Sequence, residues 1–474
     1  MTRRQIFTTG HRALFCALSC ALAIACTGGD LEEHNAIAER LAPILVDNVR
    51  TRPGGDIAGL HDDAERLGPV AVYVDRSLTM QPYVRTPGTA FGRLVGILDD
   101  FIASEVSFFG FGFPTREGSS QKVEPLPPHE IYQDGTYTYA NNDYAALFRA
   151  FPRDGTTRLV ITDAVQSDPE GGARLRAVAE ELHRWVTDGG AFAALVYRNP
   201  YHGQYYSDLT EADPIYSCGN RPLVAFVLAP SRAAVADLLT RLGPGLNPAH
   251  VIQVGGTDLS INLVPETLPD SSRRRGVRVA SGIDTAVAAG FHPIPFSVVL
   301  ERSGDGFEGY VPLQVEAVLS LRQRPWATLG REGTVEFVRH LRPSLHAWSF
   351  DKRALRGASQ PAKHGASNSL GAEPVKLDVR TPPPPEVRVS GDSVRARFTL
   401  PTRRPGAGGK DFALLVSLRP DENGARALVP DELSTDDDRD PGACGRVLKL
   451  QRLLSGILLR NYVPGRTLLV TDWR

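Results

Sequence analysis

The chain has 474 residues, of which 42% are hydrophobic and 23% charged, and its formal net charge is −1. That mixture excludes a disordered chain and a polytopic membrane protein, and the neutral balance supplies no global field toward nucleic acid or an anionic surface. At about 150 residues per domain the length predicts two or three domains.

The N-terminus has the form of a signal peptide over residues 1–26. Arg3, Arg4 and Arg12 precede an apolar run from Ala13 to Ala25 that is too short to span a bilayer. The run ends in "LAIAC", Leu22 to Cys26, which resembles a lipobox, with Ala23 where leucine is usual. The resemblance implies lipidation of Cys26 and attachment of a soluble domain to a membrane face. Ordinary cleavage after Ala23-Ile24-Ala25 is the alternative. Thr27 follows the cysteine, so the aspartate that retains lipoproteins at the inner membrane is missing; in a two-membrane bacterium this implies the outer membrane. No later stretch reaches about 18 consecutive apolar residues. Besides Cys26, the mature chain keeps Cys218 and Cys444, either a disulfide in an oxidising compartment or two buried thiols.

Residues 27–67 form a tether in which "AIAERLAPILVDNV" is an amphipathic helix broken by "RPGGD". From residue 68 to 245, apolar runs alternate with helical segments, the pattern of βα units on a mostly parallel sheet. The predicted strands are 69–75, 106–113, 158–163, 191–198 and 222–229, apolar enough for burial on both faces. A polar edge strand is predicted near 131–139. Helices are predicted over 90–104, 142–151, 172–188 and 231–243, the last with Ser231 as N-cap. The sum is a doubly wound, Rossmann-like α/β domain.

Beyond it, strand-like runs at 296–301, 311–321, 375–380, 386–400 and 411–418 are separated by Pro, Gly and Asp, with "RSGDGFEG" and "SGDS" as hairpin turns. They predict a β-rich, sandwich-like C-terminal region: one unit over 246–353, a polar linker over 354–374, and a second unit over 375–474. "TPPPPE" is a stiff connector, and "GRVLKLQRLLSGILLRNYV" has apolar residues at helical spacing.

Ligands of parallel α/β sheets collect at the carboxyl ends of the strands. Asp75 ends the first strand there, Ser77 and Thr79 lie in the loop after it, and Asp163 ends the strand in "LVITD". Carboxylate and hydroxyl oxygens in one place suit Mg²⁺ or another hard divalent cation. This arrangement over residues 68–245 resembles a von Willebrand factor A domain. In that family D-x-S-x-S, a threonine and a later aspartate form a metal-ion-dependent adhesion site. Asp75-Arg76-Ser77-Leu78-Thr79 matches the first motif with Thr79 for serine. "ITDAVQS" matches the aspartate loop, with Ala164 in place of its glycine. At the threonine position stands Asn141 or Asn142, with Thr136 and Thr138 a few residues upstream. The resemblance implies a cation whose open position takes a partner's acidic side chain.

The remaining motifs carry less. "GGTD", Gly255 to Asp258, comes too late in the chain to be the missing threonine loop. "RNPYHGQYY", Arg198 to Tyr206, is a loop that either packs or rims the ligand face. His183, His202 and His292 lack zinc spacing, "DDDRD" lacks the framing of a calcium loop, and no serine sits in a G-x-S-x-G setting. The chain therefore reads as a non-enzymatic envelope protein that binds a protein partner. The alternatives are a haloacid-dehalogenase-like phosphatase using Asp75 as nucleophile, since "DRSLT" brushes against that family's D-x-D-x-T loop, and a structural subunit without metal.

Overall fold

The computed structural model describes residues 67–100, 106–114, 120–165, 172–205, 216–243, 246–254, 260–263, 293–296, 310–322, 326–350, 373–375, 377–379, 381–403, 411–437, 439, 441–461 and 465–472. The predicted signal peptide, Cys26 and nearly all of the tether, as well as "GGTD", "RSGDGFEG" and His292, lie outside the described residues.

Among the described residues the first unit has nine strands: β1 Val70–Asp75, β2 Val106–Gly112, β3 Lys122–Pro125, β4 Thr157–Thr162, β5 Ala191–Tyr197, β6 Pro200–Tyr205, β7 Tyr216–Asn220, β8 Leu223–Ala229 and β9 His250–Val254. Seven of them form one sheet in the order β3-β2-β1-β4-β8-β5-β9, and β6 and β7 make a separate ribbon. Every residue of β4, β5 and β8 is buried. Strand alternation divides them between two cores. Val72, Val74, Leu159, Ile161, Ala193 and Leu195 point to one face, Val160, Phe192, Ala194 and Phe226 to the other.

Among the described residues six α-helices go with this sheet: α1 Gln81–Arg85, α2 Ala90–Asp100, α3 Pro128–Ile131, α4 Tyr144–Ala150, α5 Ala173–Thr187 and α6 Arg232–Leu242. α2 and α6 cover the first face, α4 and α5 the second. The expected cap forms, for the Ser231 hydroxyl accepts from the amide of Ala234; Asp143, not foreseen, does the same for Ala146 at the start of α4.

Two features differ from the sequence reading. The edge strand is β3, antiparallel to β2, and not 131–139. There Asp134-Gly135-Thr136 closes a 3₁₀ turn, and Tyr139 makes only an isolated bridge to Ser77. The larger difference concerns β8. β1 is parallel to β2 and β4, but β8 runs antiparallel to both β4 and β5 and lies between them. A parallel return requires a crossover, usually a helix. Between β5 and β8 the chain instead makes the β6–β7 ribbon, so it comes back in the opposite direction.

The second unit holds β10 Ser260–Leu263, β11 Pro293–Phe296, β12 Tyr310–Ser320, α7 Trp326–Arg339, β13 Leu341–Phe350, β14 Glu373–Val375, β15 Asp378–Val379, β16 Glu386–Ser390, β17 Ser393–Arg403, β18 Asp411–Pro420, α8 Glu422–Ala427, β19 Ser434–Thr435, β20 Val447–Leu448, α9 Leu450–Asn461 and β21 Gly465–Asp472. One five-stranded sheet runs β10-β12-β17-β15, with β16 also on β17; another runs β11-β21-β18-β13-β14. The predicted "SGDS" hairpin joins β16 to β17, with Gly391 at φ 56. The partition at 354–374 does not hold as a domain boundary. β12 pairs along its whole length with β17, and β13 with β18, so strands from 246–353 and 375–474 share both sheets. The boundary at 245 also shifts, because β9 completes the first sheet.

The amphipathic helix predicted near the C-terminus is α9. Leu450, Leu453, Leu454, Ile457 and Leu458 are buried, and the helix lies against α5 of the first unit, where Arg460 pairs with Glu180 and Asn461 with His183. Cys218 in β7 and Cys444 form a disulfide, with Cα atoms 5.7 Å apart, that joins the two units a second time. Among the described residues no helix is long and apolar enough to cross a membrane.

Candidate functional site

Asp75 and Asp163 meet because β1 and β4 are adjacent and parallel. Val74 pairs with Ile161, so Asp75 is level with Thr162 and Asp163 lies one residue further. The order β3-β2-β1-β4 places this point where the connections leave β1 to one side and β4 to the other, the crevice in which doubly wound sheets bind ligands.

The loop after β1 is laced to its neighbours. The amides of Arg76, Leu78 and Tyr139 donate to Phe111, Tyr139 and Arg76 carbonyls respectively. The Arg76 side chain crosses Gly110, leaving no room there for a Cβ, and Tyr139 lies over Gly112 in the same way. That is the physical use of the two glycines in "FFGFGF". Arg76 then pairs with Glu124 and sits 4.4 Å from the centre of the Tyr139 ring. It serves the frame of the site.

Asp75 is completely buried. Its Oδ1 accepts from the Ser77 amide at 2.9 Å. Its Oδ2 accepts from Asn142 Nδ2 at 2.8 Å, from the Thr162 hydroxyl at 2.8 Å and from the Tyr144 hydroxyl at 3.3 Å. The Ser77 and Thr79 hydroxyls lie 2.9 Å apart. Asp163 Oδ1 accepts from the Val165 amide at 3.1 Å, whereas its buried Oδ2 has no hydrogen-bond partner. Burial, and then the charge of Asp163, push the Asp75 carboxyl up to about 6, against the donors of Ser77 and Thr162. Burial and Asp75 hold the Tyr144 phenol well above its ordinary range, so it stays a donor.

The structure brings Asp75, Ser77, Thr79 and Asp163 to one sheet edge. It selects Asn142 over Asn141 at the third loop: Asn141 Oδ1 turns back to the Asn142 amide. Thr136 is engaged with the Glu130 carbonyl, and Thr138 is exposed. Ala164 stands at φ 55, the left-handed conformation for which the resembling family uses glycine.

No protein-family model, curated protein or solved structure matches the chain.

The described residues contain no group of three or more His, Cys, Asp or Glu able to hold a metal, so the edge offers two carboxylates and two hydroxyls. By chemistry this all-oxygen set fits a hard cation, and Asp163 Oδ2 is a buried carboxylate oxygen not engaged in a hydrogen bond.

Three residues that sequence reasoning missed complete the site. Thr162 and Tyr144 anchor Asp75; their signal was a hydroxyl inside an otherwise apolar strand and helix face. Arg221, 2% exposed, brings its guanidinium to 4.0 Å from Asp163 Oδ2. Its backbone amide donates to the Asn199 carbonyl. The loop "RNPYHGQYY" is largely β6, and it packs: Tyr201 is buried, edge-on to Tyr83 at 5.1 Å.

Proposed function

We propose that this chain is an exported, lipid-anchored interaction protein of the cell envelope, carrying a von Willebrand factor A-like domain. Asp75, Ser77, Thr79 and Asp163 would hold a divalent cation such as Mg²⁺, and the cation would supply an electrophilic position for a partner's carboxylate. The observation that carries this reading is the convergence of those four side chains at the switch point between β1 and β4. Leu78, 49% exposed between Ser77 and Thr79, offers an apolar contact beside them. The Cys218–Cys444 disulfide supports an oxidising compartment. A nucleophilic role for Asp75 is disfavoured, because an attacking carboxylate needs access and Asp75 is buried with Oδ2 held by three donors.

The test is equilibrium dialysis of the full chain against Mn²⁺ and Mg²⁺. About one ion per chain is expected, lost in Asp75→Ala and Ser77→Ala variants that remain folded. Absence of stoichiometric binding would refute the cation. A second reading, a structural envelope subunit without metal, is favoured by Arg221, which already places a positive charge beside Asp163. Mass spectrometry of the mature N-terminus tests the lipid on Cys26.

A further inference from the structure

Two buried carboxylates at one sheet edge need positive charge, and the chain carries its own. Arg221 and Asp163 are 2% and 1% exposed, and the guanidinium NH2 atom lies 4.0 Å from Asp163 Oδ2. That separation is too long for a hydrogen bond and short enough for strong attraction in a buried site. Arg221 arrives there through the reversed direction of β8. Leu223 pairs with Tyr197 and Val224 with Thr162, so β8 begins at the edge where β4 and β5 end. A parallel strand in that place would have its first residues at the opposite edge. The arginine is also tied down, by its amide on the Asn199 carbonyl and by the Cys218–Cys444 disulfide three residues before it.

We infer that Arg221 is the built-in counter-ion of Asp163, and that a divalent cation at this edge must take Asp163 Oδ2 from it. The second half of this inference rests on the cation reading above; the first half does not. It gives Asp163 a positive neighbour without metal and makes cation binding at Asp163 Oδ2 a replacement of one positive charge by another.

The test compares the full-length wild type, Asp163→Asn, Arg221→Gln and the double variant, with the disulfide intact. In EDTA, urea unfolding should place each single variant well below the wild type. The double variant should lie above both, with an unfolding constant at least ~tenfold smaller than that of either single, because removing one partner leaves the other's buried charge without its opposite charge and removing both does not. Where a single variant fails to fold, recovery of folding in the double is the same result. A double variant no more stable than the weaker single would overturn the counter-ion. In Mn²⁺ titrations Arg221→Gln should bind at least ~tenfold more tightly than the wild type, since a competing charge has gone, and Arg221→Lys should stay near wild type. Equal binding by Arg221→Gln and wild type would overturn the replacement and leave the cation site standing. No Mn²⁺ binding by either would remove the cation reading and overturn the replacement with it, while the EDTA series still decides the counter-ion.

Discussion

Thr162→Val is the sharpest probe of how the site is held. Valine has nearly the shape of threonine, so the fully buried side chain is replaced without a cavity. What disappears is one hydroxyl with three tasks: it donates to Asp75 Oδ2 at 2.8 Å, lies 2.6 Å from the Tyr144 hydroxyl and accepts from the Ala164 amide at 3.0 Å. A hydrogen bond to a carboxylate contributes about 2–3 kcal/mol and an orphaned buried N–H costs about 1–2 kcal/mol, so the loss should be about 3–5 kcal/mol at pH 7.5. Thr162→Ser keeps the hydroxyl and should lose less than about 1.5 kcal/mol. The effect should depend on pH. The folded-state pKa of Asp75 is raised to about 6, above the ordinary 3.8. Its contribution is therefore most favourable below pH 3.8 and falls away as pH rises through about 6. Thr162 is one of the donors that hold that pKa down, so valine pushes it higher still. The gap between wild type and Thr162→Val should accordingly widen from pH 5 to pH 7.5. Urea unfolding in EDTA measures it. A valine variant within about 1 kcal/mol of wild type, or a serine variant as weak as valine, would refute the idea that Asp75 is fixed by this hydroxyl.

Other predictions follow from single features. Ala164 at φ 55 bears about 1–2 kcal/mol of left-handed strain. Against about 0.4–1 kcal/mol for the freer unfolded glycine chain, Ala164→Gly should raise stability by up to about 1.5 kcal/mol; a lower unfolding midpoint would contradict this. Cys218 and Cys444 close a loop with a sequence separation of 226. The chain-entropy estimate for such a loop is about 5 kcal/mol, so the Cys218→Ser/Cys444→Ser double variant should unfold at clearly lower urea, and reductant should move the wild type and not the variant. Asn142→Ala removes a donor from Asp75 Oδ2 and should cost about 1.5–3 kcal/mol, whereas Asn141→Ala should cost less, checked by the same unfolding series.

The sequence made the strands of the first unit plain because burial on both faces leaves runs such as "AFAALVY" and "LVAFVLA" with almost no polar residue. It did not disclose the direction of "LVAFVLA". Direction is set by the connection, and residues 198–222 have neither the alternation nor the turn pair that marks a ribbon. The same gap hid Arg221, since an arginine in "CGNRP" looks like a solvated turn until β8 is reversed. At the site, Asp75 and Asp163 were legible from their places at strand ends. The choice between Asn141 and Asn142 was not, because a shift of one residue decides which side chain faces inward. In the C-terminal half, the individual strands were legible and their partners were not. Val315 pairs with Phe398 across a stretch that carries no local sign of it.

The way Asp75 is bonded bears on what the edge can do. Three donors converge on Oδ2, from α4, from β4 and from the residue Asn142 that leads into α4, while Oδ1 accepts from the Ser77 amide, and the Ser77 hydroxyl also bonds the carboxylate. One oxygen is thus committed to holding the loop, and the side facing Ser77, Thr79 and Asp163 carries fewer bonds. A structural aspartate at a strand end would gain most from equal satisfaction of both oxygens. Asymmetric anchoring is what is expected of a ligand whose orientation is fixed from behind. The same logic runs through the second carboxylate: Asp163 Oδ1 is tied to its own turn and Oδ2 is left to charge alone. On the cation reading proposed above, Asp163 Oδ2 is the oxygen whose positive partner would be exchanged. The disulfide ties the ribbon that carries Arg221's neighbour Cys218 to the second unit, and α9 is held to α5 by the Arg460–Glu180 pair.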